Sequence, residues 1–355
     1  MVVFKLLREA VNCVAAHHVR PFFVLLGVFA TILTTHASPL EKRASRTTPP
    51  AGAVQVKNPA AAGQFSTVQA AINSLPNDSS ARTIFIFPGT YSEQVSITRL
   101  GPTTIFGSTT DTTSYTSNSV TITHSLSATA AGNDDLSGTF RVHKDNFAMY
   151  NVNVRNTFGT GSQALALSSY GTNVGYYGSA FFGFQDTVLA NQGNQYFGVC
   201  YIEGAVDFIF GQHARAFFQR NVIASVAAGT ITADGPTDAT DASLFVINQS
   251  TIQQSTAATT SLTGKVFLGR PWTQWAKVAF TSCNLGAVIN GAGWEIWSTA
   301  TPNTADVTFA EFANTGAGAA GTRASFSEKL SSNTGFTAAA VLGSNWTTWV
   351  DQAYV

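Results

Sequence analysis

An all-β fold, and within it a right-handed parallel β-helix, is what this 355-residue sequence predicts. Two observations carry the prediction. Short runs rich in Val, Ile, Phe, Tyr and Thr recur from Thr83 onward, punctuated by Asn, Ser and Gly, with no convincing long helix before the C-terminal region. A Gly-x-x-Asp frame also repeats, since Gly183-Phe-Gln-Asp186 and Gly204-Ala-Val-Asp207 lie 21 residues apart. Tyr177-Gly178 and Phe197-Gly198 sit at nearly the same offset, and Gln163 precedes Gln185 by 22. A repeat of roughly 20 to 25 residues is a solenoid period, one coil per repeat. Three strands per coil, stacked in parallel, enclose an apolar interior. A β-sandwich also has many short strands, but the equal frame of the two Gly-x-x-Asp units favours the solenoid.

The elements follow in order. Lys5, Arg8, His17, His18 and Arg20 precede the apolar run Pro21 to Leu33, which is short for a bilayer span and suits a signal h-region. Thr35-His36-Ala37 approximates a cleavage pattern, and Lys42-Arg43 is a dibasic pair. Residues 1–43 are therefore expected to be a signal peptide and short processed leader, and residues 44–355 a single β-helix domain. No inhibitory pro-domain is expected, only a Pro-, Thr- and Ala-rich arm from Ala44 to Ala62. Phe65 to Leu75 has apolar residues at helical spacing and stops at Pro76-Asn77-Asp78, so a short amphipathic helix is expected there. Thr83 to Phe87 is a strand ended by Pro88-Gly89. Near the C-terminal extension, the Gly- and Ala-rich stretch Gly316 to Gly321 reads as a mobile loop.

Composition removes some functions. Charged residues make up 11%, and Lys+Arg equals Asp+Glu at 19 each, so neither a basic stripe for nucleic acid nor an acidic tail is present. Three sequons, at Asn77, Asn248 and Asn345, agree with a secreted, extracellular glycoprotein without a membrane anchor in its mature form. With Cys13 in the leader, only Cys200 and Cys283 remain, too few for a disulfide framework, and both fall in apolar runs that read as buried thiols.

The chemistry gathers around Gly204-Ala-Val-Asp-Phe-Ile-Phe-Gly-Gln212, where Asp207 interrupts an apolar run. A lone ionised carboxylate there is costly without partners. If 21 residues is one coil, Asp186 is its neighbour at the spacing of adjacent strands, about 4.7–4.9 Å. Two carboxylates so close share a proton over some pH range, leaving one as base or nucleophile and the other as acid. Gln163 and Gln185, stacked by the same counting, supply amide donors of the kind a developing oxyanion needs, which points toward acyl transfer. Arg270 in Leu268-Gly-Arg-Pro-Trp272 is suited to grip one carboxylate with two parallel hydrogen bonds. Sequence arithmetic leaves its distance from Asp207 open, since the 63 residues between them cover about three coils and a polar insertion around Asp234 to Thr263. Trp272 offers a flat platform for a sugar ring, and Phe210 is expected to line the groove, whereas Phe208 and Ile209 need not face the same way.

Together these segments resemble the pectin methylesterases. Gly89-Thr-Tyr-Ser-Glu93, Gln163-Ala164, Gln185-Asp-Thr187, Asp207-Phe-Ile-Phe-Gly211 and Leu268-Gly-Arg-Pro-Trp272 occur in that family's order, and Phe309-Ala-Glu-Phe312, Asn314-Thr-Gly316 and Trp346 look like its ending. The resemblance implies a fungal-type secreted enzyme that removes methyl esters from homogalacturonan without metal or cofactor and acts as a monomer. It implies Asp207 as nucleophile, Asp186 as general acid and base, Gln163 and Gln185 as oxyanion-hole amides, Arg270 as the residue orienting the nucleophile, and Phe210 and Trp272 as aromatic substrate contacts. Leu189, where many plant members carry Tyr, and Leu165, where Val is frequent, depart from the pattern and are expected to tune the groove.

Rival readings differ in class. The chain has no Gly-x-Ser-x-Gly elbow, which disfavours a Ser-His-Asp hydrolase around His213. After the leader only His124, His143 and His213 remain, widely spaced, which argues against a metal hydrolase. A β-helical glycoside hydrolase also uses two carboxylates but needs no amide pair. A non-catalytic polysaccharide-binding solenoid would not need Asp186, Asp207 and Arg270 together.

Overall fold

In the computed structural model, which describes residues 45–355, the chain winds as a parallel β-helix. The leader expected over residues 1–43 lies outside the described residues. Three parallel ladders form the sides. One runs from Gly89–Ser92 through Ala180–Phe182 and Tyr201–Gly204 to Asn284–Leu285. The other two share one long strand, Val188–Gly198. Its first half pairs with Leu167–Tyr170 and Ile209–Gly211, its second with Val174–Tyr177 and His213–Gln219.

The 21-residue period holds at the centre and fails elsewhere. Tyr176 pairs with Phe197 and Phe197 with Phe218, two steps of 21. The step is 27 from Met149 to Tyr176, 29 from Ala216 to Phe245 and 37 from Gly229 to Val266. Loops between the strands absorb the extra residues while the ladders stay in register. The offset of the aromatic pairs is also sharper than the sequence suggested, because Tyr177 lies opposite Gly198 and not Phe197.

Register explains the core. Parallel strands about 4.8 Å apart set each position over its equivalent in the next coil, so flat rings at one position stack. Tyr176 lies on Phe197 at 4.7 Å between centroids, and Phe197 on Phe218 at 4.5 Å, with planes only 21° and 11° apart. At one corner, successive coils turn through a single left-handed residue: Asn151, Gly178, Val199, Arg220, Gln249, Ser282 and Ala313 all have φ between 47° and 56°.

Three local expectations are corrected. The N-terminal helix is Val68–Asn73, shorter than Phe65 to Leu75, because Phe65 bridges to Val56 as an extended residue. Thr67 caps Ala70 and the Glu93 carboxylate accepts from the Val68 and Gln69 N–H groups, so the helix sits over one end of the core. The arm is not separate either: Val54–Val56 pairs with Arg82–Ile86, and the Arg46 guanidinium lies 4.2 Å from the Phe106 ring centre. The Gly316 to Gly321 loop is pinned, since Arg323 donates to the Gly318 and Ala320 carbonyls while paired with Glu311.

The C-terminal tail folds back along the outer face of the coils. The short helix Ala338–Leu342 receives Arg215 on its Ala340 carbonyl, and Tyr354 is buried against Tyr177. Cys200 and Cys283 are both buried free thiols, which burial pushes up to about 12. Among the described residues no helix is long and apolar enough to cross a membrane.

Candidate active site

Asp207 stands on the turn between Tyr201–Gly204 and Ile209–Gly211 with φ 49°, and Asp186 stands one coil earlier between Ala180–Phe182 and Val188–Gly198 with φ 63°. Asp is among the residues that tolerate this left-handed region best. Gln185 bridges Val206 and Val188 pairs with Ile209, so the 21-residue step sets the two carboxylates over one another. The repeated glycines serve close approach. A Cβ on Gly204 would lie 2.3 Å from Phe208 Cβ, and one on Gly183 2.6 Å from Thr187 Oγ1. Phe208 and Ile209 then enter the core, whereas Phe210 packs with Leu165, Leu189 and Ala233 on the outer face.

All seven residues singled out from the sequence line one cavity of about 170 Å³, whose wall is completed by Asp134, Ala233 and Trp297. Asp186 and Asp207 are only 7% and 5% exposed. Arg270 arrives two coils after Asp207, not three: Ile209 pairs with Thr232, whose carbonyl accepts from the Arg270 N–H at 3.0 Å. The stretch read as a polar insertion is mostly a coil of its own, with strands Leu244–Asn248 and Thr251–Gln254 and a buried Asp234.

The two carboxylates are held differently. Asp207 accepts from Arg270 through Nε at 2.9 Å and Nη2 at 2.7 Å on separate oxygens, and from Thr230 Oγ1. A fork of this kind suits a carboxylate that can accept on both oxygens. Burial opposes the charge on Arg270, but the hydrogen bonds and charge of Asp207 outweigh it and hold the guanidinium above its ordinary value. Asp186 has no such partner. Burial, then the charges of Asp207 and Asp134, push its carboxyl well above the usual range against the opposing pull of Arg270. The two neighbouring carboxyls thus sit in unlike surroundings: Asp207 is gripped by a guanidinium, and Asp186 is disposed to keep its proton.

Gln163 is fixed by its own backbone. Its carbonyl accepts from Ala128 N–H at 2.8 Å, and Ala164 N–H reaches the Gln185 carbonyl at 3.2 Å, which brings the two glutamines one coil apart. Neither side-chain amide donates to another described residue, so four N–H bonds are free to meet a ligand. The Phe210 ring lies 6.2 Å from the Trp272 ring, and the Trp272 carbonyl is held by Asn303 at 2.8 Å. Leu189 lines the adjoining hollow, while Leu165 is fully buried beneath it. Among the described residues no cluster of three His, Cys, Asp or Glu side chains is arranged to hold a metal ion.

Sequence reasoning missed Thr230, Trp297 and Asp134. Thr230 follows Asp207 by 23 residues, so continued coil counting finds it. Trp297, whose ring stacks under Arg270 at 4.3 Å, carries no spacing signal beyond its place in Trp294-Glu-Ile-Trp297.

Residues 54–342 match the family model described as Pectinesterase. The chain belongs to the pectinesterase family. A pectinesterase of Aspergillus aculeatus is 48% identical over 318 residues, spanning 88% of this chain and 95% of its own length. One from Aspergillus niger is 45% identical over the same shares. Among solved structures, the deglycosylated pectin methylesterase from Aspergillus niger aligns with a TM-score of 0.81 at 38% identity, covering 87% of this chain and all of that one. The carrot pectin methylesterase aligns at 0.77 with 27% identity, over 85% and 97% of the two chains. Pectinesterases are carboxylic ester hydrolases acting on pectin, so this family member is an esterase, and the glycosidase and non-catalytic readings fall away.

Proposed function

We propose that this enzyme hydrolyses the methyl esters of homogalacturonan, releasing methanol and leaving free uronates, with Asp207 as nucleophile. The observation that supports it most is the unequal pair: Asp207 gripped on both oxygens by Arg270, and Asp186 beside it, buried and disposed to keep its proton. Asp207 attacks the ester carbonyl carbon, and the resulting oxyanion is met by the Gln163 and Gln185 amides. Collapse breaks the bond to the methoxy oxygen, which takes the Asp186 proton and leaves as methanol. An acyl anhydride on Asp207 remains. Asp186, now a carboxylate, draws a proton from water as it adds to the anhydride, freeing Asp207 and regenerating protonated Asp186. Phe210 and Trp272 provide the apolar walls for the sugar rings, and Arg270 holds the nucleophile in place.

Residues 44–355 then act as one secreted, extracellular catalytic domain, monomeric, released from the 1–43 leader. Exposed Asn77 and Asn345 fit glycosylation, whereas Asn248 is tied to Gln219 and Thr281. Methanol release from highly methylated pectin, with polymer length followed alongside, tests the reaction. Methanol with unchanged length is the expected outcome; shortening without methanol would contradict it.

A further inference from the structure

One buried carboxylate behind the cavity takes no part in the proposed mechanism. Asp234 ends the strand Gly229–Asp234, follows the cavity-lining Ala233, and is fully buried. A group so placed costs stability unless its oxygens are engaged, and burial pushes this carboxyl up to about 7 against the hydrogen bonds from Ser243 and Lys277. The two oxygens take different partners. Oδ1 accepts from Ser243 Oγ at 2.7 Å, and Oδ2 accepts from the Lys277 N–H at 2.7 Å.

These bonds bracket the segment that carries Trp272. The Asp234 carbonyl accepts from the Trp272 N–H at 3.1 Å, so one residue holds both ends of the turn from Trp272 to Lys277, by its main chain at the start and its carboxylate at the end. The next residue forms the floor: a Cβ on Gly235 would lie 2.7 Å from Trp272 Cε3, so the ring rests against this backbone. Thr273 Oγ1 donates to the Pro236 carbonyl at 2.7 Å, a further tie between the two segments. Through Ser243 the same carboxylate closes the loop from Gly235 to Ser243. Arg270 is anchored separately, its N–H on the Thr232 carbonyl, so the grip on Asp207 does not depend on the Asp234 side chain.

Resting on the proposed reading of the site, we infer that Asp234 is a positioning residue: through its bonds to Lys277 and Ser243 it holds Trp272 in the orientation that walls the substrate, while touching neither substrate nor reacting atoms. A binding wall needs such support, because a side chain free to move behind the surface loses its contacts to disorder. Removal of the Asp234 carboxylate is therefore felt in substrate binding and not in the chemical step.

The test measures kcat and KM for methanol release from highly methylated pectin in Asp234→Ala, Asp234→Asn, Trp272→Ala and the double variant Asp234→Ala with Trp272→Ala. Asp234→Ala leaves the Lys277 N–H without its acceptor and should raise KM about three- to tenfold, with kcat within about twofold of the parent. Asp234→Asn should return KM to near the parent's. Its amide oxygen accepts from Lys277 and its amide nitrogen donates to Ser243, whose hydroxyl then turns to the Ala214 carbonyl 3.2 Å away. In the double variant KM should match that of Trp272→Ala alone, because a residue acting through Trp272 adds nothing once the ring is gone. If Asp234→Ala does not fold, Asp234→Ser, polar but too short to reach Lys277, takes its place in each comparison. An unchanged KM, additive effects in the double variant, a loss confined to kcat, or no recovery in Asp234→Asn would overturn the inference while leaving the esterase reading intact. Absence of methanol from the parent would overturn the reading of the site on which it rests.

Discussion

Two corners of the same coils use the same backbone device for different ends. At the corner through Val199, Arg220, Gln249 and Ser282, left-handed residues stack coil upon coil with side chains unlike one another: Gln249 and Ser282 are exposed, Arg220 is half-buried, and Val199 packs against the apolar cluster shared with the C-terminal tail. At the corner through Asp186 and Asp207, the backbone adopts the same left-handed region, but two carboxylates stack and are shut into a cavity. The first corner only turns the chain. The second turns the chain and holds a charge arrangement that folding alone would not select, which is how function is carried by a scaffold built for other reasons.

The comparison breaks most visibly at Asp186. Asp186→Asn removes the proton donor and base, so methanol release should fall by about 100- to 10,000-fold. The same change should relieve a cost of folding. The folded carboxyl keeps its proton to higher pH than the unfolded one near 3.8. The native state therefore binds more protons across the interval above that value, and stability declines as pH rises through it. Urea unfolding across pH 4–8 should show a shallower decline in the variant, and an equal slope in both proteins would contradict the burial of this group.

Next in size is the oxyanion pair. Gln185→Ala should lower kcat by about 100-fold with little change in fold, read by initial rates and near-ultraviolet dichroism. A loss below about threefold would remove this amide from the transition state. Gly204→Ala sharpens the structural side of the comparison, because the new Cβ meets Phe208 Cβ at 2.3 Å. A stability loss of about 2–3 kcal/mol by denaturant unfolding is expected, with activity falling as the turn carrying Asp207 shifts.

The smallest effect belongs to the other corner. Ser282 is exposed with φ 55°, so Ser282→Gly relieves left-handed strain at the expense of a more flexible unfolded chain. Stability should change by less than about 1 kcal/mol and activity not at all. A large effect on catalysis would mean that the two corners are not independent.

What could be read from the sequence depended on uniform spacing. Asp186, Asp207, Gln163 and Gln185 lie where coils advance by 21 or 22 residues, so counting alone brought them together, and the resemblance agreed with it. Arg270 was singled out with its distance from Asp207 left open, because the 37-residue step before it hides two strands that read as a polar insertion. Asp134 was not legible at all. It lies on an inserted helix in the long step between Val95 and Phe140, where no period survives. The helical spacing of Phe65 to Leu75 was real, but sheet pairing of Phe65 overrode it at the first turn. The Gly- and Ala-rich loop looked mobile because the Arg323 that pins it acts through backbone carbonyls, which composition does not reveal.

The most direct measurement is methanol release by Asp207→Asn with Arg270 intact, on highly methylated pectin, the variant's fold being confirmed by its near-ultraviolet spectrum. Loss of about a thousandfold or more is the expected result, since an amide in this position cannot form the anhydride. Activity within a few fold of the parent would contradict Asp207 as the nucleophile.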